Sequence, residues 1–150
     1  MKRFLRVLFP ILTFLVIAFI LSNSFSDSLH AEAKRDAVVR VVTGSSSFSK
    51  QALKVVAKLF HTMEFAGFSF CLTASVLLLG DQKKCSFERV LLCGIFLAVT
   101  DELIQTISSG RGSRVTDVVV DTAGIIIGYG LATIAGKIFS KRNENKKKGT

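Results

Sequence analysis

Three short stretches hold the residue types that chemistry needs. The run LFHTMEF places His61 three residues before Glu64, TDELIQTI carries Asp101, Glu102 and Gln105, and VTDVVVD carries Asp117 and Asp121. Between the last two lies SSGRGSR, with Arg111 and Arg114. An imidazole beside carboxylates can give and take protons, so His61 with Glu64, Asp101 and Glu102 is a candidate acid–base set. The two guanidinium groups suit a phosphate or carboxylate, which they grip through paired hydrogen bonds. One histidine with carboxylates can also ligate a divalent ion. His61-x-x-Glu64 lacks the second histidine of a metalloprotease helix, however, and no resident metal or other cofactor is expected. Ser108, Ser109 and Ser113 stand beside Gly110 and Gly112 as turn residues and belong to no nucleophile motif. GRGSR lacks the spacing of a phosphate-cradling loop.

The elements that must position these groups are apolar runs. FLRVLFPILTFLVIAFIL covers Phe4–Leu21, and further runs cover about Leu59–Leu79, Arg89–Ile107 and Val118–Phe139. Each is near the ~20 residues with which a helix crosses about 30 Å of hydrocarbon. Helices of a soluble bundle keep a polar stripe along their whole length. Here 49% of the residues are hydrophobic, and the charges fall in clusters between the runs. The expected fold class is all-α: a polytopic membrane protein, a bundle of four transmembrane helices. At 150 residues it forms one domain, with a loop over 22–58 and a basic tail over 140–150.

Lysines and arginines near the span ends set the expected orientation. Lys2, Arg3 and Arg6 precede the first span, Lys83, Lys84 and Arg89 bracket the second connection, and Lys141, Arg142 and Lys146–Lys148 follow the fourth. All three sets share one face, so both termini are expected in the cytoplasm and the 22–58 loop outside. That loop also holds Lys34, Arg35, Arg40, Lys50, Lys54 and Lys58, against the rule. The first run also has features of a cleaved signal peptide, with a basic start and Ala31-Glu32-Ala33 downstream. The gap from Leu21 to Ala33 favours an uncleaved span.

With four crossings, every residue of the chemical set lies toward the outer face. At 100° per residue, Gly94, Ala98, Asp101 and Gln105 share one stripe of the third span, with Glu102 at its edge. Asp117, Asp121, Gly124, Gly128, Ala132 and Ala135 share another on the fourth. Small residues mark faces where membrane helices approach closely, and Gly124 with Gly128 is a GxxxG pair. The carboxylates on those faces should therefore look into the bundle. Glu64, Asp101, Glu102, Asp117 and Asp121 face two arginines and one histidine, and such carboxylates cannot all ionise unaided at a low-dielectric boundary. Shared protons, a bound cation or Lys58 must offset them. Lys54, Lys58 and His61 align if the second helix starts early. A purely structural outer cap, with the aspartates stabilised by the helix dipole, is the plainer alternative.

The net charge of +9 raises nucleic acid as a partner, but the basic residues form no stripe and none alternate with aromatics. No nucleic acid is expected. Cys71, Cys85 and Cys93 have no metal-ligand or CxxC spacing and read as small apolar filler, Cys85 in a loop.

At these residues the sequence resembles the VanZ-like family of bacterial membrane proteins. The family's basic residue, His and Glu followed by an aromatic match Lys58, His61, Glu64 and Phe65. Its longest block matches Asp101, Glu102, Gln105, Gly110, Arg111, Asp117, Asp121, Gly124 and Gly128, and Ser22-Asn23-Ser24 also fits. The resemblance runs from about Phe4 to Tyr129. Thr62, Ile107 and Ser109 depart from the pattern, replacing two aromatics and a proline, and none of these changes removes an ionisable group. The resemblance implies a four-helix protein of the bacterial cell membrane and, for the family's namesake, reduced sensitivity to the glycopeptide teicoplanin. Two functions are then weighed. One is a non-enzymatic envelope protein in which Lys58, His61, Glu64, Asp101, Glu102, Gln105, Arg111, Arg114, Asp117 and Asp121 bind a membrane lipid headgroup or surface ligand. The other is an intramembrane enzyme acting on a lipid-linked substrate. The expected partners are membrane lipid and either a lipid-linked cell-wall precursor or a glycopeptide.

Overall fold

The computed structural model describes residues 2–25, 50–79, 86–109 and 115–148. Those residues form four helices and no strand: α1 Lys2–Ser24, α2 Lys50–Leu78, α3 Phe87–Ser109 and α4 Val115–Lys148. Each contains a stretch long and apolar enough to cross a membrane, namely Arg3–Ser24, Lys58–Leu78, Phe87–Ile107 and Val115–Arg142. Large apolar side chains such as Phe4, Phe14, Met63, Phe96 and Ile107 project outward. Such a coat is stable in hydrocarbon, where no polar face is needed.

The four runs expected from sequence are the four helices, but their ends differ, and residues 22–24, expected in the loop, close α1 as helix. α2 begins at Lys50, so 50–58 is helix and not loop. KQALKVVAK is rich in strong helix formers and contains no glycine or proline to stop propagation. α4 continues to Lys148 through SKRNENKKK, so most of the expected tail is helical. Its 34 residues span about 51 Å, well beyond the hydrocarbon thickness. Ser108 and Ser109 end α3 and are not turn residues.

Contacts fix the direction of each helix. Arg6 Nε donates to the Leu78 carbonyl at 2.8 Å, joining the start of α1 to the end of α2. At the opposite end Asn23 meets Glu64 of α2, and Ser24 meets Asp101 of α3. α1 and α3 therefore run one way and α2 and α4 the other. The most extensive pairing is between α2 and α4, and it is parallel. A Cβ on Gly124 would fall on the Thr62 carbonyl, one on Gly128 on the Ala66 carbonyl, and one on Gly136 near the Leu77 side chain. Only glycines let these two backbones come so close. The small face turns slightly along α4: Ala132 is buried but Ala135 is exposed, and Gly136 continues the contact in its place. The contact keeps a four-residue spacing from Gly124 to Gly136, which on a helix of 3.6 residues per turn winds about 40° around α4 at each step and so passes Ala135 by.

Within this frame Ile20, Phe65, Phe68, Val90, Leu97, Ala98 and Ile125 form the apolar core. Ser69 is fully buried and donates to the Ile125 carbonyl at 2.8 Å. Such an interhelical bond contributes about 1 kcal/mol in a membrane bundle.

Candidate functional site

Three helices place a carboxylate at the same depth. Glu64 lies six residues in from Lys58, Asp101 six from Ile107 and Asp121 six from Val115, each measured from that end of its apolar stretch. Six residues of helical rise are about 9 Å. α1 ends at this same level and adds Asn23 and Ser24, so all four helices contribute to one polar layer near one end of the bundle.

The layer is built of distinct pairs. Asn23 Nδ2 donates to Glu64 Oε1 at 2.9 Å, and the other carboxylate oxygen, Oε2, lies 3.4 Å from His61 Nδ1. The i, i+3 spacing puts His61 and Glu64 on one side of α2, as expected. Asp101 is 1% exposed and accepts from the Ser24 hydroxyl and from Gln105 Nε2, the latter at 2.7 Å one turn along α3. Gln105 thus serves Asp101 directly. Glu102, drawn at the edge of the inward stripe, is itself buried. Nearer the rim, Lys58 Nζ and Asp117 Oδ1 form an ion pair at 2.9 Å between α2 and α4, both partly exposed.

Asp121 is different. It is 2% exposed, and its Oδ1 is buried with no hydrogen-bond partner among the described residues. It lies within electrostatic reach of His61, Asp101, Asp117 and Glu102. Gly124 and Gly128 follow it on the face that meets α2, and their lack of side chains brings Asp121 within electrostatic reach of His61. Thus the GxxxG pair does more than join helices. It also draws the Asp121 carboxylate out of water.

Ion pairs offset only part of the excess of negative charge that the sequence carries. The Lys58 charge goes to Asp117, and the His61 ring goes to Glu64. Asp101 has only neutral donors, and Asp121 has no ion pair among the described residues. Arg111 and Arg114, with Gly110, lie outside the described residues, as does Cys85. Cys71 is half-buried and Cys93 exposed on the outer surface. Among the described residues no three His, Cys, Asp or Glu side chains converge as a metal-holding group.

Asn23 and Ser24 were legible only through the family pattern, not through their chemistry. The usable signal was a Ser-Asn-Ser step at the very end of an otherwise apolar run. Polar side chains ending a membrane helix serve either water or a neighbouring helix, and here two of them serve buried acids.

A family model described as VanZ/LLP1 matches residues 6–136. Neither the curated proteins nor the solved structures contain a match.

Proposed function

This chain belongs to the VanZ/LLP1 family, and on that premise we propose that it is a non-enzymatic binding protein of the bacterial cell envelope. Its polar layer would hold a lipid headgroup or surface ligand. A lowered sensitivity to glycopeptides such as teicoplanin is one cellular consequence such binding could have. The observation that carries the reading is Asp121, a buried carboxylate with an oxygen that no described residue satisfies. Leaving such a group unpaired costs several kcal/mol by order of magnitude. A structural cap has no reason to keep it, whereas a binding site does. In this reading Arg111 and Arg114 stand on the segment joining the helix ends that bear Asp101 and Asp121, suited to a phosphate or carboxylate on the ligand.

Mass spectrometry of the protein purified in native lipid tests this. A defined lipid or envelope molecule is expected to co-purify, and Asp101→Asn or Asp121→Asn should reduce it about tenfold while the protein still accumulates. If those variants fail to accumulate and wild type carries nothing, the layer is a structural cap. The intramembrane enzyme remains the second reading, supported by the His61–Glu64 pair. His61→Gln separates the two: a binding site built on Asp121 keeps its ligand at reduced affinity, whereas acid–base chemistry through that ring stops.

The orientation proposed puts both termini in the cytoplasm and the polar layer toward the outer face, following the basic residues at the other end. Single cysteines replacing Ser109 and Lys146 in a background without Cys71, Cys85 and Cys93 are expected to react with impermeant maleimide from opposite sides. Labelling of both from the same side would overturn the four-crossing arrangement.

A further inference from the structure

We infer that the polar layer recognises a primary ammonium group, taken up by Asp121 and Glu64 beside His61. The inference rests on the binding function proposed above and names the chemistry of the ligand.

Among the described residues two carboxylate oxygens in the layer are buried without a hydrogen-bond partner, Asp121 Oδ1 and Glu64 Oε2, the latter facing His61 Nδ1 at 3.4 Å. They belong to carboxylates on different helices, and His61 interacts with both. Carboxylate oxygens only accept, so a ligand that completes them must donate. The two basic groups of the layer among the described residues are already engaged, Lys58 with Asp117 and the His61 ring beside Glu64. Asp101 and Asp121 make no ion pair among the described residues, and His61 acts on them only at longer range. The missing group is therefore a cation rich in N–H donors. A primary ammonium has three such donors on a compact point charge. A guanidinium presents its donors as a flat fork, suited to both oxygens of one carboxylate and less to single oxygens of two. A quaternary ammonium has the charge but no N–H, and would leave both oxygens unsatisfied. The depth of the layer, about 9 Å inside the apolar stretches, suits the amine of a lipid headgroup or a free amine entering from the rim.

The test uses the full chain in nanodiscs of phosphatidylglycerol doped with equal amounts of phosphatidylethanolamine, its N-methyl or N,N-dimethyl form, or phosphatidylcholine. Positive charge stays constant along this series while the N–H donors fall to none. Retention of the doped lipid after release into detergent, read by native mass spectrometry, is expected to fall about tenfold or more from first to last, the size of one lost charge-assisted hydrogen bond. Asp121→Asn should flatten the series; the wild-type series decides the matter even if that variant misfolds. Competition by soluble O-phosphoethanolamine would assign the group to a free amine, and its failure to compete to a lipid headgroup. Equal retention along the series would overturn the ammonium assignment and leave the binding function standing. No retained lipid, together with no thermal stabilisation by O-phosphoethanolamine, would overturn both.

Discussion

Gly128→Leu is expected to keep α2 and α4 from closing and to leave a protein that inserts but does not hold its bundle. A Cβ at this position would land on the Ala66 carbonyl, and one at Gly124 on the Thr62 carbonyl. Both obstacles are backbone, which cannot rotate aside as a side-chain end can. Relief requires the helices to separate along the pair that makes the most extensive contact in the fold. Overpacking of a tight core costs about 1–3 kcal/mol, and a leucine against backbone belongs at or above the upper figure. Separation also opens the layer above, because Asp121 sits about one and two turns before these glycines on the same face. Gly94→Ala should cost less, since its Cβ meets only the Ile125 side chain. Gly67 and Gly130 are the controls: a Cβ at either meets nothing, so alanine there should be neutral or add up to about 1 kcal/mol of helix propensity. Thermal unfolding in one detergent ranks all of these. A Gly67→Ala variant as damaged as Gly128→Ala would show that close approach at Gly128 is not what joins the helices.

These glycines also show what was legible from sequence and why. Four apolar runs of bilayer length specify four helices because lipid leaves the backbone no other way to satisfy itself. The inward aim of Asp101 and Asp121 followed from sharing a helical stripe with small residues, and both are buried. Helical angle alone left Glu102 at the edge, because burial there depends on what packs against α3 and not on α3 itself. The pairings were out of reach for a similar reason. That Lys58 takes Asp117 while Asp121 goes without depends on the register of α2 against α4, which backbone contact at Thr62 and Ala66 fixes. α2 began before its apolar run because propensity, not hydropathy, governs a helix once it leaves the membrane. The end of α1 was the largest gap. Asn23 and Ser24 look like the first residues of a loop, and only the three-dimensional level of Glu64 and Asp101 makes them part of the layer.

Asn23→Asp is expected to detach that end of α1, and Glu64→Gln to restore it. The bond from Asn23 Nδ2 to Glu64 Oε1 at 2.9 Å needs one donor and one acceptor. Replacing the amide by a carboxylate leaves two acceptors facing each other where little water can screen them, at a cost of about 3 kcal/mol. Asn23→Ala removes the donor without adding repulsion and should cost about 1–2 kcal/mol. In the double variant the glutamine amide can donate to the new carboxylate, so the polarity of the bond is reversed and its sum is kept. A coupling of about 2 kcal/mol between the two substitutions is the signature of that exchange, and thermal unfolding of the four proteins measures it. The damage should stay local at first, since Arg6 still holds the start of α1 to Leu78 and Thr13 still lies against Ser75. Ser24 would nevertheless leave with Asn23, and Asp101 would lose its only donor from outside α3 among the described residues. Ligand retention should therefore fall in Asn23→Asp even at temperatures where the bundle is intact, and return with Glu64→Gln only if the Glu64 charge is dispensable to the ligand. Recovery of stability without recovery of retention is the expected result, because it separates the role of Glu64 in anchoring α1 from its role in meeting a cation. Absence of any stability rescue would mean that α1 is held to the layer by something other than this bond.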